Sequence, residues 1–162
     1  MDFGTAIIGA VMLALCVLFV LFIRNNSQKR KLVLTQALTE LATANQATVT
    51  RQEQSGNTLL GLDENANMLL FVKKGRLELT SRAVTLRDIR DCKLVKVNKT
   101  VPNQGGNYTM LEKLSLQFVP IDPKSADIHL MFYDEAEDQS LSNELEFMEK
   151  WVAIIHAQLK KK

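Results

Sequence analysis

The residue types that most often perform catalysis or bind metals are scarce in this sequence. Its two histidines, His129 and His156, fall on different predicted elements, and neither has a carboxylate or cysteine at metal-ligand spacing. No side chain near Cys92 in the sequence could serve as a base that activates its thiol. The chain also contains no P-loop, HExxH, GxSxG or CxxC motif. We therefore predict a protein that is not an enzyme, with no catalytic residues, no metal site and no cofactor, and with Cys92 in the core.

Charged residues are separated along the chain. Residues 73–99 contain nine cations and three acids, a net charge of +6, whereas residues 122–149 contain nine acids and one cation, a net charge of −8. Lys73, Lys74 and Arg76 form the candidate contact for an anion or an anionic lipid, but we favour solvated strand faces for these cations. Nucleic acid is not expected as a partner, because the domain lacks a net basic charge and interleaved aromatic residues.

The elements that would position these residues follow a long apolar run. Residues 3–23 carry no charge, and a helix of that length would measure about 32 Å, enough to cross a bilayer core of ~30 Å. The run lacks the basic start and cleavage site of a signal peptide. We predict a retained transmembrane anchor over residues 1–24 of a single-pass integral membrane protein. Small residues on one face of this helix are compatible with a homodimer: Ala6, Ala10 and Ala14.

Charges on the two flanks predict an orientation for this anchor. Arg24 and the cluster Lys29, Arg30 and Lys31 follow the run, whereas Asp2 is the one charged side chain before it. By the positive-inside rule, the C-terminal part would face the cytoplasm from the plasma or inner membrane.

Residues 25–57 are predicted to be a juxtamembrane connector and linker. Residues 28–46 contain no glycine or proline, and an apolar stripe at helical spacing is formed by Leu34, Leu38 and Leu41. This helix could pack on the following domain, pair with a second copy as a short coiled coil, or extend the membrane helix as a stalk. The polar residues 47–57 are predicted to form a linker or a loose first strand.

From residue 58 onward the hydrophobic period changes from helical to two. Residues 58–62 and 68–72 flank a polar turn and predict a hairpin, and residues 102–107 predict a second tight turn. The next strand alternates cleanly through Leu114, Leu116 and Phe118. We predict an α+β fold with an antiparallel bent sheet or barrel of about seven strands.

A C-terminal amphipathic helix completes the predicted domain, residues 58–162. Its apolar positions recur at alternating spacings of four and three: Leu141, Leu145, Met148, Val152, Ile155 and Leu159. About seven antiparallel strands followed by a helix with Trp151 in its middle resemble the pleckstrin-homology (PH) superfold, and in particular the membrane-anchored bacterial PH-like proteins of unknown function. The resemblance implies that the helix plugs an open end of the sheet, with Trp151, Val152 and Ile155 packed into it.

Two hypotheses about function follow. The first is a non-catalytic, membrane-tethered interaction or scaffold module, in which a sheet edge or the barrel mouth binds an unknown protein partner. The alternative is a peripheral reader of anionic lipid headgroups that uses the basic residues 73–99. We favour the interaction module.

Overall fold

The structure, a computed structural model, describes residues 12, 15, 18, 28–76, 78–103, 106–138 and 143–161. Two helices flank the strands: α1, described over residues 28–44, and α2 (Glu144–Leu159). A short 3-10 helix, Leu86–Asp88, separates the fourth and fifth strands. The strands are β1 (Arg51–Ser55), β2 (Thr58–Asp63), β3 (Met68–Lys74), β4 (Leu79–Thr85), β5 (Ile89–Asn103), β6 (Gly106–Pro120) and β7 (Ile128–Asp134).

Strands β1 to β4 form an antiparallel sheet in sequence order. The turn between β2 and β3 is held by Asp63, whose carboxylate accepts the backbone N–H groups of Asn65 at 2.9 Å and Ala66 at 2.8 Å. Strand β2 is buried along its whole length and β3 in its five central residues. Both faces of this sheet are therefore covered, which explains why the sequence shows apolar runs here instead of alternation.

Strands β5 to β7 form a second antiparallel sheet. Strands β5 and β6 make a long hairpin, and β7 pairs with the part of β6 from Lys113 to Phe118. The register between β5 and β6 shifts between Ile89 and Asp91 and again between Val97 and Asn98, as at a β-bulge.

The main core lies between the two sheets and is closed by α2. Trp151, Met148 and Ile155 of this helix are completely buried, and Val152 packs at the edge of the same cluster. Phe132 of β7 meets Phe71 of β3 edge to face, with ring centroids 5.2 Å apart. Such aromatic contacts join the two sheets to each other.

A second, smaller core lies on the other face of the four-stranded sheet, under α1. Leu34 and Leu38 are buried there against residues of β2 and β3 that include Leu59 and Leu70. The helix approaches closely at Gly61, where a Cβ atom would lie 3.1 Å from Cδ1 of Leu38. Of the three arrangements open to this helix from its sequence, packing on the domain is the one observed.

The predicted fold class is wrong in its sheet arrangement. The seven strands form one sheet of four and one of three, not a continuous bent sheet or barrel of seven. The division falls at the Leu86–Asp88 turn: β4 pairs with β3, and β5 pairs with β6. Period-two alternation identifies strand faces, but it does not identify the neighbour with which each strand pairs.

The membrane predictions are also corrected. Within the part of the chain that the structure describes, no helix is long and apolar enough to cross a membrane. Helix α2, for example, has 16 residues with Glu144, Glu146, Glu149 and Lys150 among them, whereas a span needs ~20 predominantly apolar residues. This finding contradicts the transmembrane, single-pass and integral-membrane predictions and the membrane localisation drawn from them. Except for residues 12, 15 and 18, the predicted span over residues 3–23 lies outside the described residues.

Candidate functional site

The three cations predicted to contact an anion have two different roles in the structure. Lys73, at the end of β3, is buried, and its Nζ donates to Oδ2 of Asp138 at 2.7 Å. The side chains of this pair are only 6% and 12% exposed. Lys73 therefore joins the end of β3 to the segment after β7, and its charge is already neutralised inside the protein.

Lys74 and Arg76 instead line a cavity of about 540 Å³. Two cations of α1, Lys29 and Arg30, line the same cavity. None of these four side chains has an ion pair with any described residue. We call this space the α1–β3 cavity.

The loop that carries Lys74 and Arg76 is fixed by backbone hydrogen bonds. The N–H of Lys74 donates to the carbonyl of Asn57 at 2.8 Å, and the N–H of Gly75 donates to the carbonyl of Glu78 at the same distance. Gly75 allows this close approach, because a Cβ atom there would lie 3.1 Å from the Glu78 oxygen. These two bonds hold the backbone of Lys74 and Gly75 beside the cavity.

Three carboxylates also line the cavity: Glu137, Asp138 and Glu144. Asp138 is neutralised by Lys73, and Glu144 is buried at the start of α2 with contacts of its own. Four cations and three carboxylates therefore line this space, and one of the carboxylates, Asp138, is paired with Lys73 outside the lining. The site therefore has a net positive charge and suits an anionic group.

The other cations of residues 73–99 do not extend this site. Lys93, Lys96 and Lys99 all lie on β5 in the second sheet, and each is within 4 Å of a carboxylate, at 3.7 Å, 3.7 Å and 3.8 Å. Two of those carboxylates, Glu149 and Glu135, come from the acidic residues 122–149. The basic and acidic parts of the sequence thus partly neutralise each other, and the basic residues do not form one continuous face.

The histidines and the buried cysteine lie apart from this cavity. His129 is exposed on β7, whereas Nε2 of His156 lies 2.8 Å from the carbonyl oxygen of Cys92 and 3.3 Å from a carboxylate oxygen of Asp91. Burial, together with the charge of Asp91, raises the pKa of the Cys92 thiol to about 12, so it is an unreactive core residue. Within the described residues, no group of three His, Cys, Asp or Glu side chains could hold a metal ion.

Lys29 and Arg30 are the site residues that the sequence reasoning missed, because it assigned them to membrane topology. The spacing of the apolar residues in this helix could have indicated where Arg30 points. Arg30 lies one turn before Leu34, so the stripe that docks α1 on the sheet also fixes where this cation points.

Comparison of the chain with family models, curated proteins and solved structures finds no match in any of the three.

Proposed function

We propose that this protein is a non-catalytic interaction module that binds an anionic group of its ligand in the α1–β3 cavity. One observation carries the proposal: four cations from two distant segments surround one cavity without an ion pair to any described residue. Three carboxylates line the same cavity and Asp138 among them is paired with Lys73, so the four cations leave a net positive charge that a bound anion would neutralise. The volume of about 540 Å³ is within the usual range for small-molecule sites.

A phosphate group fits this chemistry best. The guanidinium groups of Arg30 and Arg76 offer paired N–H donors, and Lys29 and Lys74 offer ammonium groups. Free phosphate compounds and lipid headgroups share this chemistry. The exposure of Arg76 favours access by either one, whereas the ion pairs of Lys93, Lys96 and Lys99 reduce the surface that a membrane could contact.

The resemblance to the PH superfold remains part of the proposal. Seven antiparallel strands are followed by a helix whose single tryptophan is completely buried between the sheets, which supports the resemblance. A PH-like fold would also accommodate a non-catalytic role, although such folds carry many functions and the site has to be argued from its own residues.

Calorimetry on the full chain tests the proposal with two probes, pyrophosphate in solution and vesicles of phosphatidylglycerol, each at low and physiological salt. We expect salt-sensitive binding to at least one probe, since the contacts are ionic. The double variant Lys74→Glu/Arg76→Glu should weaken it by at least about tenfold.

The matched control is Arg82→Glu/Arg90→Glu, which reverses two exposed cations that do not line the cavity. Binding to pyrophosphate as well as to vesicles would identify a phosphate site, and binding to vesicles alone would identify a lipid headgroup site. Absence of binding to both probes, or equal losses in the two double variants, would refute the proposed function.

A further inference from the structure

Strand β1 is an edge strand whose outer side is open in the described part of the chain. It pairs with β2 alone, and the ladder begins at the pair Ser55 and Thr58, which closes a two-residue turn. Hydrogen-bonded pairs alternate along an antiparallel ladder, so the backbone groups of Gln52 and Gln54 point away from β2. No described backbone group bonds to them on that side.

Two cavities lie along this edge, one on each face of the sheet. The first, of about 510 Å³, is walled by α2 and includes Glu146, Phe147 and Lys150. The second, of about 350 Å³, is walled by α1 and includes Lys31 and Thr35. Residues of β1 line both cavities. The edge of β1 therefore lies in a trough between the two helices, which we call the β1 trough.

We propose that the β1 trough binds an extended peptide segment of a partner protein, which adds to β1 as a fifth strand. Strand addition would satisfy the outward N–H and C=O groups of Gln52 and Gln54. Successive side chains of a strand point to opposite faces, so the peptide would place alternate side chains in the α2-side and α1-side cavities. The trough supplies backbone pairing for affinity and a cavity on each face for selectivity.

The proposed occupant is a single extended chain of a partner protein. Two side chains of opposite charge line the cavities without an ion pair to a described residue, Glu146 on the α2 side and Lys31 on the α1 side. The β1 strand of a second copy, with the sequence RQEQS, has no basic residue next to an acidic one and so would not match both charges.

The charges of the two cavities define the peptide further. On the α2 side, Lys150 is paired with Glu53 at 2.7 Å, whereas Glu146 has no ion pair with a described residue and lies beside the apolar Phe147. A lysine or arginine, with its aliphatic stem and cationic head, suits this cavity. On the α1 side, Lys31 is likewise without an ion pair to a described residue, and it suits an acidic side chain. The preferred segment therefore carries a basic residue next to an acidic one.

The test uses a displayed library of random seven-residue peptides, selected against the full chain, followed by synthesis of the strongest binders. We expect peptides that bind with Kd below about 100 μM and contain adjacent basic and acidic residues. Amide hydrogen exchange at Gln52 and Gln54 should slow at least about tenfold on binding. N-methylation of the peptide amides should weaken binding at least about tenfold at either the odd-numbered or the even-numbered positions, but not at both, since only every second amide faces β1.

Protein variants examine the two walls separately. Glu146→Lys should weaken the binders at least about tenfold, and Thr35→Trp, which fills the α1-side cavity, should do the same. Glu149→Lys is the matched control, because it makes the same charge change on the same helix outside both cavities, and the exposed pair with Lys96 that it removes contributes little to stability. Circular dichroism checks that each variant is folded, since Thr35→Trp adds a second tryptophan to the one in the sequence.

Three results would overturn the proposal. One is a library without any peptide that binds below about 100 μM, and another is binding that leaves exchange at Gln52 and Gln54 unchanged. The third is a dimer in solution whose dissociation speeds amide hydrogen exchange at Gln52 and Gln54. That result would show that the β1 edge pairs with a second copy of the chain. The anion site is tested independently, because Lys74→Glu/Arg76→Glu should leave peptide binding unchanged.

Discussion

Replacement of Lys73 by methionine should strongly destabilise the protein, because it leaves the Asp138 carboxylate buried without its cation. Methionine keeps the aliphatic stem and removes the ammonium group, which lies 2.7 Å from Oδ2 of Asp138. Removing one partner of a buried ion pair typically costs about 3 to 5 kcal/mol. Asp138 retains the backbone N–H of Asp134 at 2.9 Å and is slightly exposed, so we expect the lower end, about 3 kcal/mol.

Urea unfolding followed by fluorescence measures this change, since Trp151 is the one tryptophan in the sequence and is completely buried. Lys93→Met is the matched control: Lys93 and Asp91 are 3.7 Å apart with side chains 63% and 40% exposed, and such a surface pair contributes about 0 to 1 kcal/mol. A double-mutant cycle that combines Lys73→Met with Asp138→Asn isolates the coupling energy between Lys73 and Asp138.

The reasoning would be refuted if Lys73→Met cost no more than Lys93→Met, or if the cycle gave no coupling. The result also bears on function. If Lys73 is structural, a test of anion binding must leave it in place and change only Lys74 and Arg76, both of which we expect to be nearly neutral for stability.

Three further predictions concern the core and its turns. Asp63→Asn should cost about 2 kcal/mol at pH 7, because it weakens the hydrogen bonds that the carboxylate accepts from the backbone. Burial raises the pKa of this carboxyl, but the backbone N–H groups of Ala66, Thr48 and Asn65 lower it by more, so the pKa in the folded protein is below its usual value. Because the folded pKa lies below the unfolded value of about 3.9, the stabilisation by Asp63 is complete above that pH and is lost as the pH falls through the folded pKa. The free energies of unfolding of the two proteins, measured by urea titration, should therefore converge at low pH, and a difference that stays constant with pH would contradict this account. Trp151→Ala should cost about 3 to 5 kcal/mol in the same unfolding assay, followed by circular dichroism, and a loss under 1 kcal/mol would exclude a core position. Gly61→Val should destabilise by about 1 to 3 kcal/mol, because the added atoms meet Leu38, and Leu38→Ala in the same chain should recover part of that loss if α1 packs at Gly61.

Local patterns in the sequence predict the individual elements well. Residues 58–72 contain two apolar segments around a polar turn, and they form the β2–β3 hairpin. The helical spacing after residue 141 predicts α2, although its buried side is centred on Phe147 and Trp151 whereas Leu145, Val152 and Leu159 are only partly buried. The leucine stripe of residues 28–46 predicts a helix with one apolar side. These features depend on residues close in sequence, so a single sequence is sufficient to identify them.

Features that depend on distant contacts could not be predicted in this way. Strand β1 is polar and half-exposed, so it lacks the alternation that marks a strand, and it is identified only by its pairing with β2. Lys73 was grouped with Lys74 and Arg76 because the three are neighbours in sequence. Its burial depends on Asp138, which lies 65 residues away in the chain.

Helix α1 connects the two proposed sites, and its register explains how. Leu34 packs on the sheet, and the side chains on the two flanks of this contact point in different directions. Arg30, one turn earlier, lines the α1–β3 cavity, whereas Lys31 and Thr35, which are themselves one turn apart, line the trough beside β1. If the helical sequence were shifted by one residue, every side chain would rotate by about 100° around the helix axis. This rotation would remove cations from both sites and expose Leu34. The apolar stripe that stabilises the second core therefore also positions the charges, so both candidate binding surfaces depend on a segment whose packing on the domain was one of three arrangements open from its sequence.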